Sequence, residues 1–583
     1  MIIAALAPFP VVLPLGVGAL LLGVSKHLPR RGPDVLAILT AAATSVICGL
    51  LARSAAETGP ITYWFGQWHL LGDQVVGISF VIDLASAGVG ALVGFLFAAT
   101  LVFAWGFFEE VHAHFHVIML VFMAGMVGFC LTGDLINMFV WFELMSVAGF
   151  AATGFALRSS AIAGALNFTI VNTVGAYVFL AGIGLLYGQG GALDMVALGR
   201  SVAAHPNDPV MALGFVLIAS ALLTKAAQLP FQMWLGDAHA VAPSPVSVIF
   251  SGAMVSIGLF GLAKLGFRVF GGAPEIVGES RRALLVIGLA SAVVGAMLAL
   301  GQRHIKRLLA FSTISHAGIM LTGLSQMSQD GEAGLLAYLF GHGLVKGAMF
   351  MLAGFIAAKC GGIDEITLRG RGRDYWPVGI MMALGGLALA GLPFGPMDEG
   401  FKLIEHGAAD AGQHWIATVL LVSATLTGAA VLRVAGRIFG GWGELSGDER
   451  HGETEEEQEP GHQPAVLLAG PAALLLGLGL IGWDDGGALA SRAAAALIAL
   501  PEQPAPALPG SPGPWIAVLC AVAITGFELA RRHLPHWFVA LVEAFRVPPT
   551  RVLQRMQSGL VTDYVTWLAV GLAVLATAFV FAV

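Results

Sequence analysis

The chain has 583 residues, of which 57% are hydrophobic and only 11% charged, with 77 glycines and a formal net charge of −7. Soluble domains carry roughly 25% charge, so the composition excludes a string of soluble domains, and with it a soluble enzyme, a secreted disulfide scaffold and a nucleic-acid binder. What remains is an all-α polytopic membrane protein, because a span in lipid satisfies its backbone hydrogen bonds within its own helix.

The first apolar run, MIIAALAPFPVVLPLGVGALLLGV, lacks a basic n-region and a clear cleavage site, so a retained first span is expected rather than a signal peptide. Runs long enough to cross about 30 Å of hydrocarbon fall at 2–25, 34–52, 79–108, 113–132, 134–157, 160–188, 209–235 and 242–270. They continue at 281–302, 306–325, 331–359, 375–404, 412–438, 464–483, 514–530 and 560–583, about 16 spans in all. Residues 60–75 and 484–500 read as interfacial pieces.

Between the third and fourth spans, Glu109, His112, His114 and His116 invite a metal hypothesis. On a helix Glu109, His112 and His116 share a face while His114 points away, and a turn at the membrane surface does not enforce ligand geometry. We read a solvated interfacial cluster and assign no metal. Cys48, Cys130, Cys360 and Cys520 are isolated, without C-x-x-C spacing, so neither a cysteine-ligated cluster nor a zinc site is expected, and no cofactor is assigned to the chain.

The acidity is local. Residues 444–460 (ELSGDERHGETEEEQEP) hold eight acids against one arginine, which accounts for the whole −7, and read as a solvated loop. Residues 532–558 mix apolar and basic side chains, as in an amphipathic segment lying along a membrane surface, interrupted by Pro548-Pro549. Counting spans from an outside N-terminus puts Lys26, Arg30, Arg31, Arg158, Arg303, Lys306, Arg307, Lys359, Arg369, Arg371 and Arg373 inside, with most later arginines. Only Arg53, Arg200, Arg268, Arg281, Arg282 and Arg492 fall outside. By the positive-inside rule both termini lie outside.

An internal repeat is visible in Leu229-Pro230-Phe231 of the seventh span and Leu392-Pro393-Phe394 of the twelfth. Each is the fourth helix of a five-helix block; the blocks begin near 113 and 281, offset by 168 residues, and the prolines are offset by 163. An odd helix number puts the blocks in opposite orientations. Proline breaks a helix, and paired broken helices in inverted repeats point to an ion path near the midplane. The organisation is then 1–110 (helices 1–3), 111–270 (first repeat, helices 4–8), 281–440 (second repeat, helices 9–13), 441–463 (acidic loop) and 464–583 (C-terminal helices).

Ionisable groups inside spans are costly and mark function by default. With Asp134 as cap, Glu143 lies about 13 Å into its helix, close to the bilayer centre. Lys225 precedes the Pro230 break by about a turn, and Lys346 lies mid-span with His342 four residues earlier on the same face. Lys402 follows the second break, with Asp398 at i−4 and Glu405 at i+3, at a depth the sequence leaves open. A buried lysine tends to lose its proton, and a nearby carboxylate keeps it charged. A lysine whose partner moves away therefore switches state, which is the elementary device of a proton relay. A static Glu143–Lys225 pair gluing helices together is the bland alternative.

The stretches DLINMFVWFELMS, TKAAQLPFQMWLGDAHAVAPSPVSVIFSGAMV, HIKRLLAFSTISHAGIM and GHGLVKGAMFMLAG resemble the antiporter-like subunits of respiratory complex I, of multisubunit Na+/H+ antiporters and of energy-converting membrane hydrogenases, over roughly residues 110–405. The resemblance implies a 14-helix core of two inverted five-helix repeats with helices 7 and 12 broken. It implies Glu143 and Lys225 as a coupled pair, Lys346 as the central lysine and Lys402 as the terminal one, with Pro230, Pro393 and the Asp237-Ala238-His239 turn in the breaks and His316 as a supporting histidine. His304 stands where the family usually has Asp, Ser256 where many relatives have Lys or His, and GLPFGPMDEGFKLIE is longer than the usual twelfth-helix motif, which loosens the match at Lys402.

The resulting expectation is an ion-translocating subunit of a multisubunit bacterial inner-membrane complex, moving protons and driven by quinone-reductase- or hydrogenase-type chemistry in partner subunits. The alternatives are a subunit of an Na+/H+ antiporter, a proton path energising a cytoplasmic enzyme such as an inorganic-carbon uptake system, and a scaffold that transports nothing.

Overall fold

The structure, a computed structural model, describes residues 4–67, 77–108, 113–443, 465–481, 486–498, 512–537 and 559–580, with short pieces between 70 and 75 and between 539 and 553. The acidic loop, Glu109, His112, residues 499–511 and most of the amphipathic segment 532–558 lie outside the described residues.

All of the expected runs carry helix. In chain order these are α1 (Phe9–Val24), α2 (Gly32–Thr58), α3 (Leu84–Phe107), α4 (Ala113–Leu131), α5 (Leu135–Thr153), α6 (Ser159–Gly190), α7 (Met195–Ala204), α8 (Pro209–Lys225), α9 (Met233–Val241), α10 (Ser244–Ile249) and α11 (Val255–Lys264). The second half adds α12 (Pro274–Gly301), α13 (Ile305–Ser325), α14 (Gln329–Ile356), α15 (Trp376–Leu389), α16 (Pro396–Asp410), α17 (Trp415–Ala435), α18 (Ala465–Leu480), α19 (Gly486–Ile498), α20 (Gly513–Ala530) and α21 (Val561–Val580). Among the described residues, 12 helical segments are long and apolar enough to cross a membrane, one of them joining α10 and α11 through a π-helical turn at Phe250–Met254. The seventh and twelfth runs are each split, into α8 with α9 and α15 with α16.

One surface reading needs correction, that of His116. Within residues 60–75, Ile61–Trp64 pairs antiparallel with Ser79–Ile82, in register Ile61↔Ile82, as the β-branched and aromatic run ITYW favours. Residues 486–498 form α19, which packs on α14 and α3 with Ala494 fully buried. His116 is likewise buried, 3.1 Å from Asp34 on α2 rather than in a solvated cluster. Helix α7 went unpredicted; Asp194 starts it by accepting from Val196 and Ala197 N–H at 3.0 Å.

The repeat is written in backbone hydrogen bonds. Leu135 N–H donates to Leu193 O (2.9 Å) and Met195 N–H to Gly133 O (3.0 Å); Ile305 N–H donates to Ile363 O (3.0 Å) and Glu365 N–H to Arg303 O (3.1 Å). Each partner recurs 170 residues on (135 to 305, 193 to 363), which corrects the offset of 168 read from helix starts. The last helix of each block then ties off the first. Lys264 Nζ donates to Cys130 O (2.8 Å) and Thr132 O (2.6 Å), at the end of α4. Arg433 donates to Leu300 O (2.7 Å) and Gln302 O (2.8 Å), at the end of α12. Both cations satisfy carbonyls that a helix end leaves without intrahelical donors. One turn later Arg268 pairs with Asp83 and Arg437 with Glu365.

Close backbone approach holds the second block together. A Cβ on Gly295 would lie 2.5 Å from Ser315 N, and one on Gly318 would lie 2.5 Å from Ala292 N, so α12 and α13 meet at small residues.

Candidate ion path

Glu143 occupies the third turn of α5 and is half-buried; its Oε1 lies out of water without a hydrogen-bond partner. Lys225, fully buried, is the last residue of α8. Its Nζ donates to Ser146 Oγ at 2.6 Å and sits 4.2 Å from the Phe142 ring centroid. Glu143 is close enough to act electrostatically on Lys225, yet the two form no ion pair within 4.0 Å. The lysine is thus held by a hydroxyl and a ring, one helical turn from the carboxylate.

Helix α8 stops there because Pro230 cannot donate and Ala227 takes a positive φ. The loosened backbone is satisfied by side chains: Trp234 Nε1 donates to Thr224 O at 2.9 Å, and Leu229 N–H donates to Ser291 Oγ at 3.0 Å. The break is covered from outside by α21, where a Cβ on Gly571 would collide with Pro230. Tyr564 of α21 donates to Asp237 Oδ2 at 2.6 Å, and Arg307 donates to Asp237 Oδ1 at 3.3 Å.

In the middle, Lys346 on α14 is fully buried and donates to Leu309 O at 3.0 Å and to Ser312 Oγ on α13. Next to Ser312, Thr313 shares a 2.5 Å hydrogen bond with Ser251 of the π turn, which runs the hydroxyl row back toward the first block. His239, fully buried, stacks on Phe350 at 4.5 Å with neither ring nitrogen hydrogen-bonded. Ser256 is buried too, with Oγ unpartnered.

On the far side of Lys346, His342 lies 5.6 Å from His316, ring centroid to centroid. His316 Nδ1 meets Tyr338 OH at 2.7 Å, and its Nε2 meets Thr427 Oγ1 at 3.0 Å. Beyond them the second break lies between Leu389 and Pro396 and contains Pro393. Its Gly391 and Gly395 take φ values of +97° and +82°, which only glycine adopts freely. Lys402, one turn into α16, pairs with Asp398 Oδ2 at 2.6 Å; the lysine side chain is 22% exposed and the aspartate 5%. Lys402 thus stands at the rim of the protein interior. Glu405 is half-buried beside it.

The structure therefore bonds Lys225 to Ser146 with Glu143 nearby but unpaired, Lys346 to Ser312, and Lys402 to Asp398, and brings His342 beside His316. The ring nitrogens of His239 and His342 have no hydrogen-bond partner. Sequence reasoning missed the uncharged partners Ser146, Ser312, Tyr338 and Thr427, and also Lys264 and Glu332, both fully buried. Lys264 was findable as a charge inside the run 242–270; hydroxyls at ordinary helical positions carry no such signal. His304 caps α13 by accepting from Arg307 N–H at 3.4 Å. Burial, with Lys306 and Arg307 beside it, pushes its imidazole down to about 3, so it caps in the neutral form.

A family model described as the transmembrane region of NADH:quinone oxidoreductase and the Mrp antiporter matches residues 132–427. NADH-quinone oxidoreductase subunit N of Desulforudis audaxviator is 29% identical over 472 residues, covering 77% of this chain and 89% of the relative. An Na(+)/H(+) antiporter subunit of Bacillus subtilis is 27% identical over 489 residues, covering 81% and 92%. The fold is similar to a chain of the Mrp complex from Dietzia sp. DQ12-45-1b, with TM-score 0.74, 24% identity, and 89% and 100% of the two chains covered. It is also similar to a chain of an archaeal membrane-bound sulfane sulfur reductase, with TM-score 0.73, 22% identity, and 84% and 97% covered. With apolar helices, two broken helices and a buried row of ionisable groups in place, the chain is an integral multi-pass membrane protein of the NADH:quinone oxidoreductase/Mrp antiporter transmembrane family.

Proposed function

We propose that this chain is the proton-translocating subunit of a multisubunit complex in a bacterial inner membrane, with both termini outside. The observation that carries the reading is Lys225: fully buried, held by a neutral hydroxyl, with Glu143 near but unpaired. When Glu143 approaches, Lys225 holds its proton; when Glu143 withdraws, the desolvated ammonium gives it up. The proton passes through hydrated polar groups and the Ser251–Thr313–Ser312 row to Lys346. From there it moves by His342, His316 and Tyr338 to Lys402 and Asp398, which release or accept it outside. The driving chemistry resides in partner subunits of quinone-reductase or hydrogenase type, and this chain supplies no cofactor of its own. The names of the relatives support membership in such a complex, and those of the antiporter subunits support a second reading in which Na+ is exchanged for H+.

The test replaces Lys225 by Ala in the intact complex, reconstituted in vesicles. Lost translocation with all subunits still assembled supports the relay. Unchanged translocation, or a complex that falls apart, sinks it in favour of a scaffold. A proton gradient that forms only when Na+ is present would turn the reading to antiport.

A further inference from the structure

Helix α16 carries a titratable residue at every fourth position: Asp398, Lys402, His406 and Asp410. Residues four apart are neighbours on a helix face, so these side chains wind from the buried break to an exposed end over about 18 Å. The first pair is the terminal lysine and its carboxylate. The second pair meets a residue from another helix: His406 Nδ1 lies 3.0 Å from Asp330 Oδ2, in the first turn of α14, and 3.6 Å from Asp410 Oδ2. One nitrogen and two carboxylate oxygens thus converge, all within 4.8 Å of one another, at side chains 33%, 26% and 68% exposed.

We propose that Asp330, His406 and Asp410 form a binding site for a Zn2+-class divalent cation at the outer mouth of the ion path. Zn2+ takes nitrogen and oxygen at about 2.0–2.2 Å in a tetrahedron, which puts neighbouring ligand atoms about 3.3–3.5 Å apart. The two His406 distances already bracket that spacing, so only small side-chain rotations are needed. One imidazole with two carboxylates selects a borderline transition cation over Mg2+, which keeps its waters and prefers an octahedron of oxygens. A separate observation points the same way. Gln326, 7% exposed, donates its amide Nε2–H to Ile404 O at 2.8 Å, and its Oε1 is buried with no donor. That oxygen lies between Gly407 and Gly331, each one residue past a proposed ligand; a Cβ on Gly407 would collide with it and one on Gly331 would lie 2.9 Å away. A buried, unsatisfied acceptor therefore lies beside the backbone that carries two of the proposed ligands.

A dication held at the third step of the winding row of side chains repels positive charge leaving Lys402 and pins His406. Zn2+ supplied from outside therefore inhibits translocation. This inhibitory consequence, unlike binding itself, rests on reading Lys402 as the outer terminal group.

The experiment uses the intact complex in two measurements. Zn2+ binding by titration calorimetry is expected at one site on this chain, weakened at least about tenfold by H406A and by D410N, and not displaced by millimolar Mg2+. In vesicles, external Zn2+ is expected to inhibit translocation, with at least about ten times more needed for H406A, each protein being compared with its own zinc-free rate. Should H406A fail to assemble, H406Q serves, together with the visible absorption of Co2+ bound tetrahedrally to the wild type. Equal binding by wild type and both variants, or no tetrahedral Co2+ spectrum, overturns the site and leaves His406 as a side chain set between two carboxylates. Binding that depends on His406 without any inhibition keeps the site and overturns instead the place given to Lys402.

Discussion

The two repeats share a backbone and divide the chemistry differently. In the first, the lysine ends the half-helix before the break and is fully buried against Ser146 and Phe142. In the second, the lysine lies on the half-helix after the break, partly exposed and already paired with Asp398. Counting from the prolines, Lys402 corresponds to His239, and Lys225 corresponds to Ala388. Counting from the loop hydrogen bonds, His316 corresponds to Ser146, His342 to Asn172 and Lys346 to Ala176. A duplicated frame thus holds a buried lysine with a nearby but unpaired carboxylate at one break and an ion-paired lysine at the other. The contrast suits a pump's need for one group whose proton affinity swings and another that equilibrates with solvent.

The largest expected effect separates these two lysines. Lys225→Ala is expected to cut translocation at least about 100-fold (~2.7 kcal/mol), and Lys402→Ala by about tenfold (~1.4 kcal/mol), because solvent reaches the second site without a lysine. Equal losses, measured as proton flux in reconstituted vesicles, would erase the proposed asymmetry. Next come the ties closing each repeat. Glu365→Ala leaves Arg433 and Arg437 buried without their shared carboxylate, at a cost of ~3–5 kcal/mol, and should abolish assembly on a native gel. Lys264→Met leaves two carbonyls without donors, at a cost of ~1–3 kcal/mol, and should lower only the melting midpoint. Tyr564→Phe removes the hydroxyl from a partly exposed Asp237 and should cost ~1 kcal/mol, seen as faster hydrogen exchange in α9 and α21. The smallest change is His304→Asp, which gives the second repeat the cap of the first. A charged N-cap beside Lys306 and Arg307 should gain ~0.5–1 kcal/mol in a thermal melt, as Asp134 caps α5 at the corresponding place by accepting from Asn137 N–H.

Which features could be read without coordinates follows from how strongly each departs from a lipid-facing helix. Pro230, Pro393, Glu143, Lys225 and Lys346 stand out because proline and charge are expensive in a span. Asp134 and Asp194 are ordinary caps, legible in principle, and the second was overlooked for lack of a long helix after it. Ser146, Thr313 and Thr427 were not legible: a hydroxyl can bond to its own helix backbone, so its presence says nothing about a partner across the interface. His116 looked solvated because it begins an apolar run, and only packing against Asp34 of a distant helix buries it. The repeat offset was missed by two residues because helix starts are soft, whereas the loop ladders from 133 to 195 and from 303 to 365 fix the register.

The clasp between Tyr564 and Asp237 joins positions 327 residues apart. During synthesis at about 5–20 residues per second, the first broken helix waits roughly 15–65 s for the helix that covers it. Through that interval Pro230 and Phe231 lack the neighbour that Gly571 later brings against them. The segment holding the first buried lysine is therefore among the last parts of the molecule to be closed. A chain cut short before α21 would leave Pro230 and Phe231 without that cover and Asp237 without the Tyr564 hydroxyl.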